Sequence, residues 1–182
     1  MRIFSFDAET NGLWGQAFSI AAVIYDDATG ESTEFIGRCP ISEPVNQWVA
    51  ENVLPEMESI PVNYDSYESL LAAFVEFYNA NKQDATVLVH MGLPVEARLF
   101  LDAHNMGILG DWDAPYPLVD IAAIPEINTS ADGYNAEHGI ELPAFNGGTH
   151  NPLYDSWAAL KAYAHWLAIR GWVAPPLNKI RG

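Results

Sequence analysis

Apolar positions open the chain at Ile3, Phe4 and Phe6, a short run that ends at Asp7 and predicts a strand over residues 2–7. The run "AFSIAAVIYD" (17–26) predicts a second strand, Asp27 to Gly30 a turn, and "ESTEFIGR" (31–38) a returning third. Residues 44–54, "PVNQWVAENVL", read as a short helical piece stopped by Pro55. From 66 to 80, Leu70, Phe74 and Phe77 recur on one face behind Ser66, which is a suitable N-cap for an amphipathic helix. "ATVLVH" (85–90) predicts a buried strand, and "PVEARLFLDAHNM" a helix from about Pro94 that Gly107 ends. A short strand is expected around 117–121, a mobile loop over 128–149 where Asn, Gly and Ser accumulate, and a last helix from Pro152 to Ile169. Three antiparallel strands followed by alternating helices and strands predict an α/β fold. Its mixed sheet would be a three-stranded meander plus parallel strands, flanked by helices. No repeat, low-complexity tract or long linker divides the chain, so residues 1–182 are read as a single domain.

Composition adds one unusual feature. Eight Lys and Arg against 24 Asp and Glu leave a formal net charge of −16. General polyanion binders carry a basic face, because neutralising phosphates drives their affinity. A chain this acidic either avoids nucleic acid or grips a few nucleotides with metal ions offsetting the repulsion. Hydrophobic residues make up 49%, enough for a packed core. No apolar run approaches the roughly 20 residues of a membrane span, and no basic-then-apolar leader opens the chain. Cys39 stands alone, so neither an intrachain disulfide nor a cysteine zinc site is available. A cytoplasmic protein without membrane association is the expectation.

The candidate chemistry lies where predicted elements end. In "FDAETNGL", Asp7 and Glu9 are two apart, so a strand would project both from one face. Like charges that close repel unless a cation or protons lie between them. Glu96 falls in the first turn of the helix after "VLVH". His150 and Asp155 bracket the start of the last helix, with Asn151 as N-cap and Pro152 as first helical residue. Hard cations such as Mg²⁺ take carboxylate, phosphate and water oxygens. Two such ions about 3.5–4 Å apart can activate a water and stabilise the leaving oxygen of a phosphodiester. A nearby His can take the proton.

At these residues the chain resembles a family. "FDAET" is similar to the first motif of the DEDDh 3′–5′ exonucleases, and "HNPLYD", a His with Asp five residues on, to their third. "PLVDIAAI" resembles the segment between their second and third motifs, and "WVAENVLPEM" resembles small bacterial exoribonucleases of the RNase AS type. The second motif departs: "HMGLPVEARLF" carries Glu96 where the family has Asp, and Asp102 is a weaker substitute nearly two turns further on. The resemblance implies an RNase H-like fold in which Asp7, Glu9, Glu96 and Asp155 bind two Mg²⁺ ions, with Mn²⁺ able to substitute. It implies His150 as general base, Thr10, Asn11, Gly12 and Leu13 as substrate-binding residues, and Leu13 with Trp14 at the backbone and apolar wedge against the 3′-terminal base. The implied activity is stepwise hydrolysis of single strands or short oligonucleotides from the 3′ end, RNA favoured over DNA, releasing nucleoside 5′-monophosphates. A monomer and a homodimer both remain open.

Blander readings stand beside these. A solvated strand end explains Asp7 and Glu9 when they are taken alone, and an ordinary first-turn acid explains Glu96. His90 reads as a strand-end residue, and His104, His138 and His165 as surface or structural. Trp48, Phe74, Trp157 and Trp166 are expected in the core. The rival function is an acidic binding protein or nucleic-acid mimic that inhibits a partner through its −16 surface. That rival needs dispersed acids and has no use for His150.

Overall fold

Five strands form one sheet: β1 (Arg2–Thr10), β2 (Ala17–Asp26), β3 (Glu31–Arg38), β4 (Ala85–Val89) and β5 (Val119–Asp120). Their order is β3-β2-β1-β4-β5, with β1–β2 and β2–β3 antiparallel and β1–β4 and β4–β5 parallel. The computed structural model describes residues 1–171 except Thr129 and Asn146. The helices are α1 (Gln47–Asn52), α2 (Tyr67–Asn81), α3 (Val95–Asn105), α4 (Ala131–Glu137) and α5 (Pro152–Ile169). This is the α/β architecture with a mixed sheet flanked by helices that the apolar pattern predicts. No helix among the described residues is long and apolar enough to cross a membrane.

Strand alternation sorts β1 into two faces. Phe4, Phe6 and Ala8 enter the core shared with Leu70 and Phe74 of α2 and Leu99 and Phe100 of α3. Ile3 enters the opposite core with Ala21 and Val23 of β2 and Leu153, Trp157 and Ala158 of α5. Aromatic rings dominate the first core, with Phe6 and Phe74 centroids 5.3 Å apart and Phe6 edge-on to Phe100 at 5.5 Å. Alanines dominate the second: Ala158, Ala159 and Ala162 are buried against the sheet. Side chains that small let the α5 backbone lie near β1, and Ser156 Oγ reaches the Ala21 carbonyl at 3.3 Å. Asp7 and Glu9 have the parity of Ile3, so they project toward α5.

Caps set the helix boundaries. Ser66 Oγ accepts from the Ser69 N–H at 3.3 Å, and Ser69 Oγ meets the Ser66 N–H at 3.1 Å, which closes a capping box. Asn151 Oδ1 accepts from Leu153 N–H at 3.1 Å, with Pro152 opening α5.

Four expectations need correction. β1 runs on to Thr10, so Asp7 and Glu9 lie within the strand. Pro55 does not end the first helix, because α1 stops at Asn52 and Pro55 sits in a separate 3₁₀ turn, Leu54–Met57. The segment expected as a mobile loop contains α4; its Thr129 and Asn146 lie outside the described residues. A helix this short has no periodic apolar signature and takes its stability from docking. Ser130 caps it, and Asn135 Nδ2 donates to the Ala158 carbonyl of α5 at 2.8 Å. Finally, Trp48 is 54% exposed, since α1 is too short to bury a stripe and buries only Val49. Phe74 and Trp157 are core residues as expected, and Trp166 packs at the core's edge.

Candidate metal centre

Pairing between β1 and β4 stops at Ser5 and Leu88; β4 pairs with β5 through Val89 before the chain leaves the sheet for α3, while β1 continues to Thr10. In open α/β sheets such a divergence is where ligands sit. Beyond it, the Ala8 N–H donates to Glu96 Oε1 at 3.1 Å rather than to a strand. On the α5 face, Asp7, Glu9 and Asp155 each offer a carboxylate oxygen, all within 4.8 Å of one another. They line a cavity of about 280 Å³ together with His90, Asp132 and His150.

The electrostatics are those of buried acids that repel one another. Burial holds the Asp7 carboxyl well above its usual range, and Glu96, Asp155 and Glu9 push it further. Burial also raises Glu96 to about 8, against the bonds from its own and the Ala8 N–H, with Glu9 and Asp120 adding to the rise. Asp155 is pushed up to about 7 by burial, with its bond from the His150 N–H opposing and Glu9 reinforcing. Glu9 is raised by burial and pulled back by His150. Converging hard oxygens that repel one another fit Mg²⁺ or Mn²⁺, which would remove the repulsion and keep the acids ionised.

His150 is held from both sides. Its N–H donates to Asp155 Oδ2 at 2.8 Å, and its Nδ1 lies 3.7 Å from Glu9 Oε1. The Glu9 carboxylate raises its pKa against the effect of burial. Its φ of +73° is unusual for a residue with a side chain and persists only where the surroundings impose it. Part of that constraint comes from Glu56, whose Oε2 accepts from the Gly148 N–H at 3.1 Å. Gly147 makes the approach possible, because a Cβ there would lie 2.4 Å from the Glu56 carbonyl oxygen.

The structure brings Asp7, Glu9, Asp155 and His150 together and sets Glu96 beside them, its carboxylate turned toward the β1 backbone. Asp102 is elsewhere, accepting from Tyr67 Oη at 2.7 Å and pairing with Arg98 at 3.4 Å. Asn11, expected against the substrate, is engaged within the chain: Oδ1 accepts from Asn46 N–H at 2.7 Å and Nδ2 donates to the Pro44 carbonyl at 3.0 Å. Asn46 in turn caps α1, so the turn after β1 fixes the helix that carries Trp48. Thr10 ends β1, Gly12 turns the chain at φ +85°, and Leu13 projects 62% exposed. His104 and the Tyr134–His138–His165 ring cluster lie outside this cavity. Sequence reasoning missed Trp48, edge-on to His150 with centroids 5.3 Å apart, because its helical spacing suggested core. It also missed Asp120, whose carboxylate accepts from the Met91, Gly92 and Ala122 N–H groups at 3.0 Å each and shapes the turn into α3. The "HNPLYD" and "FDAET" stretches carry signals in the sequence; Glu56 and Asp120 lie within the family-like stretches "WVAENVLPEM" and "PLVDIAAI", but no spacing there marks either carboxylate. Comparison with known proteins finds no family model and no curated protein that matches the chain.

Proposed function

We propose that the chain is a divalent-metal-dependent 3′–5′ exonuclease acting on single strands, RNA in preference to DNA, on an RNase H-like fold. The observation that carries this reading is the convergence of Asp7, Glu9 and Asp155 with His150 on one cavity at the end of β1. The meander joined to parallel strands is the sheet that an RNase H-like fold calls for, and supports the assignment. Asp7, Glu9 and Asp155 would hold the ions, with Glu96 adjacent. Bound Mg²⁺ would supply positive charge to activate water and to stabilise the leaving oxygen. Glu9 sits beside Nδ1 of His150, which leaves Nε2 to accept a proton. Exposed Leu13 and Trp48 offer apolar surface to a terminal base. The preference for RNA rests on the likeness of "WVAENVLPEM" to small exoribonucleases.

The rival, a nucleic-acid mimic, presents its charge on the surface. These acids are withdrawn from it: Glu96 is 4% exposed, and the Glu9 side chain 12%. End-labelled single-stranded RNA and DNA, incubated with Mg²⁺, Mn²⁺ or EDTA, test the proposal. Stepwise shortening from the 3′ end with release of 5′-monophosphates is expected with either metal and not with EDTA. Asp7→Ala should keep the fold by circular dichroism and lose the cleavage. Undiminished cleavage by Asp7→Ala would overturn the assignment.

A further inference from the structure

Asp132, in the first turn of α4, shares the acids' cavity but was not among the residues the sequence singles out. Its Oδ1 accepts from the Tyr154 hydroxyl at 2.5 Å. Tyr154 lies in the first turn of α5, immediately before Asp155. The two also line a second cavity of about 360 Å³ with Leu142 and Phe145, and Asp132 borders both that space and the acids' cavity. One turn further on, Asn135 of α4 bonds the Ala158 carbonyl, so α4 grips α5 at two successive levels. The upper grip is next to the residue that holds the His150 backbone.

Stability alone is a poor reason for Asp132. It adds a further carboxylate to a cavity of mutually repelling acids, and its charge works against ionisation of Asp155. Packing alone is likewise a poor reason for the Tyr154 hydroxyl, since a phenyl ring would fill the same half-buried space. What the two provide together is a directed bond at the helix start.

We propose that Asp132 and Tyr154 are a positioning pair, whose hydrogen bond fixes the first turn of α5 and so holds Asp155 against the His150 backbone. The proposal rests on the reading of Asp155 and His150 as working residues. It works through those residues, and neither member needs to touch a substrate. Losing a hydrogen bond to a charged acceptor loosens a local structure by about tenfold or more in its opening equilibrium.

Amide hydrogen exchange of the full, metal-free chain reads this directly at the His150 N–H, the donor to Asp155. Tyr154→Phe and Asp132→Ala should each speed that exchange about tenfold, leaving amides of β1 and α2 unchanged. The double variant should be no faster than either single one, because both remove the same bond. Asp132→Asn retains an acceptor oxygen and should stay near the wild-type rate. In cleavage assays the disruptive variants should lower kcat about tenfold at unchanged KM. An unchanged His150 amide in Tyr154→Phe would overturn the proposal, as would acceleration shared equally by the β1 and α2 amides. Asp132→Asn matching Asp132→Ala would show that charge, rather than the bond, is what Asp132 contributes, and would also overturn it. Failure of the wild-type protein to cleave any single strand would end the exonuclease reading without touching the exchange result.

Discussion

Glu96→Gln should make the metal-free protein more stable, and only at neutral to alkaline pH. Glu96 is 4% exposed, and its carboxyl is raised from 4.5 to about 8, burial being the main cause. Between those values the folded chain binds more protons at this site than the unfolded chain, so stability falls as pH rises through the interval. The shift to about 8 makes the ionisable group cost about 4 kcal/mol at pH 8 and under about 1 kcal/mol at pH 5. Gln keeps an oxygen for the Ala8 N–H but introduces an NH₂ to be satisfied, at roughly 1 kcal/mol independent of pH. The net expectation is a gain of about 3 kcal/mol at pH 8, seen as a melting temperature about 6–12 °C higher, and almost no gain at pH 5. Thermal and guanidinium unfolding followed by circular dichroism in EDTA would measure it, stopping at pH 5 because the isoelectric point is near 4.3. The same variant should lose most cleavage, trading function for stability. Stability curves of variant and wild type that run parallel from pH 5 to 8 would refute the reasoning, because the difference must grow with pH if the buried charge is its source.

His150→Ala should still bind Mn²⁺ and a short oligonucleotide, yet cleave about 10²–10⁴ times more slowly, as measured by single-turnover kinetics. Trp48→Ala should leave the melting temperature nearly unchanged, because the ring is 54% exposed, while weakening oligonucleotide binding by about 1–3 kcal/mol in a fluorescence titration. Phe74→Ala should cost about 3–5 kcal/mol in guanidinium unfolding, since its fully buried ring touches those of Phe4, Phe6, Phe35 and Phe100.

Strong periodicity made most of the elements legible from the amino-acid sequence alone. Strands β2 and β3 and helix α5 occupy the residues their apolar patterns and caps predict, and α2 begins after Ser66 as its capping signal requires. The parity of Asp7 and Glu9 was equally local: residues two apart on a strand share a face wherever the strand goes. Where that face points was a matter of tertiary structure. Asp155 meets Asp7 because a run of alanines brings α5 onto the sheet, and alternation within β1 cannot foretell what packs above it. Helix α4 escaped the sequence because seven residues rich in polar side chains fold there only by docking on α5. Trp48 shows the reverse error, an apolar residue at helical spacing that tertiary structure leaves beside His150 in solvent. Glu56 and Asp132 act through single long-range hydrogen bonds and Asp120 through two, from Met91 and Gly92, and such bonds between distant residues leave no period or spacing in the chain.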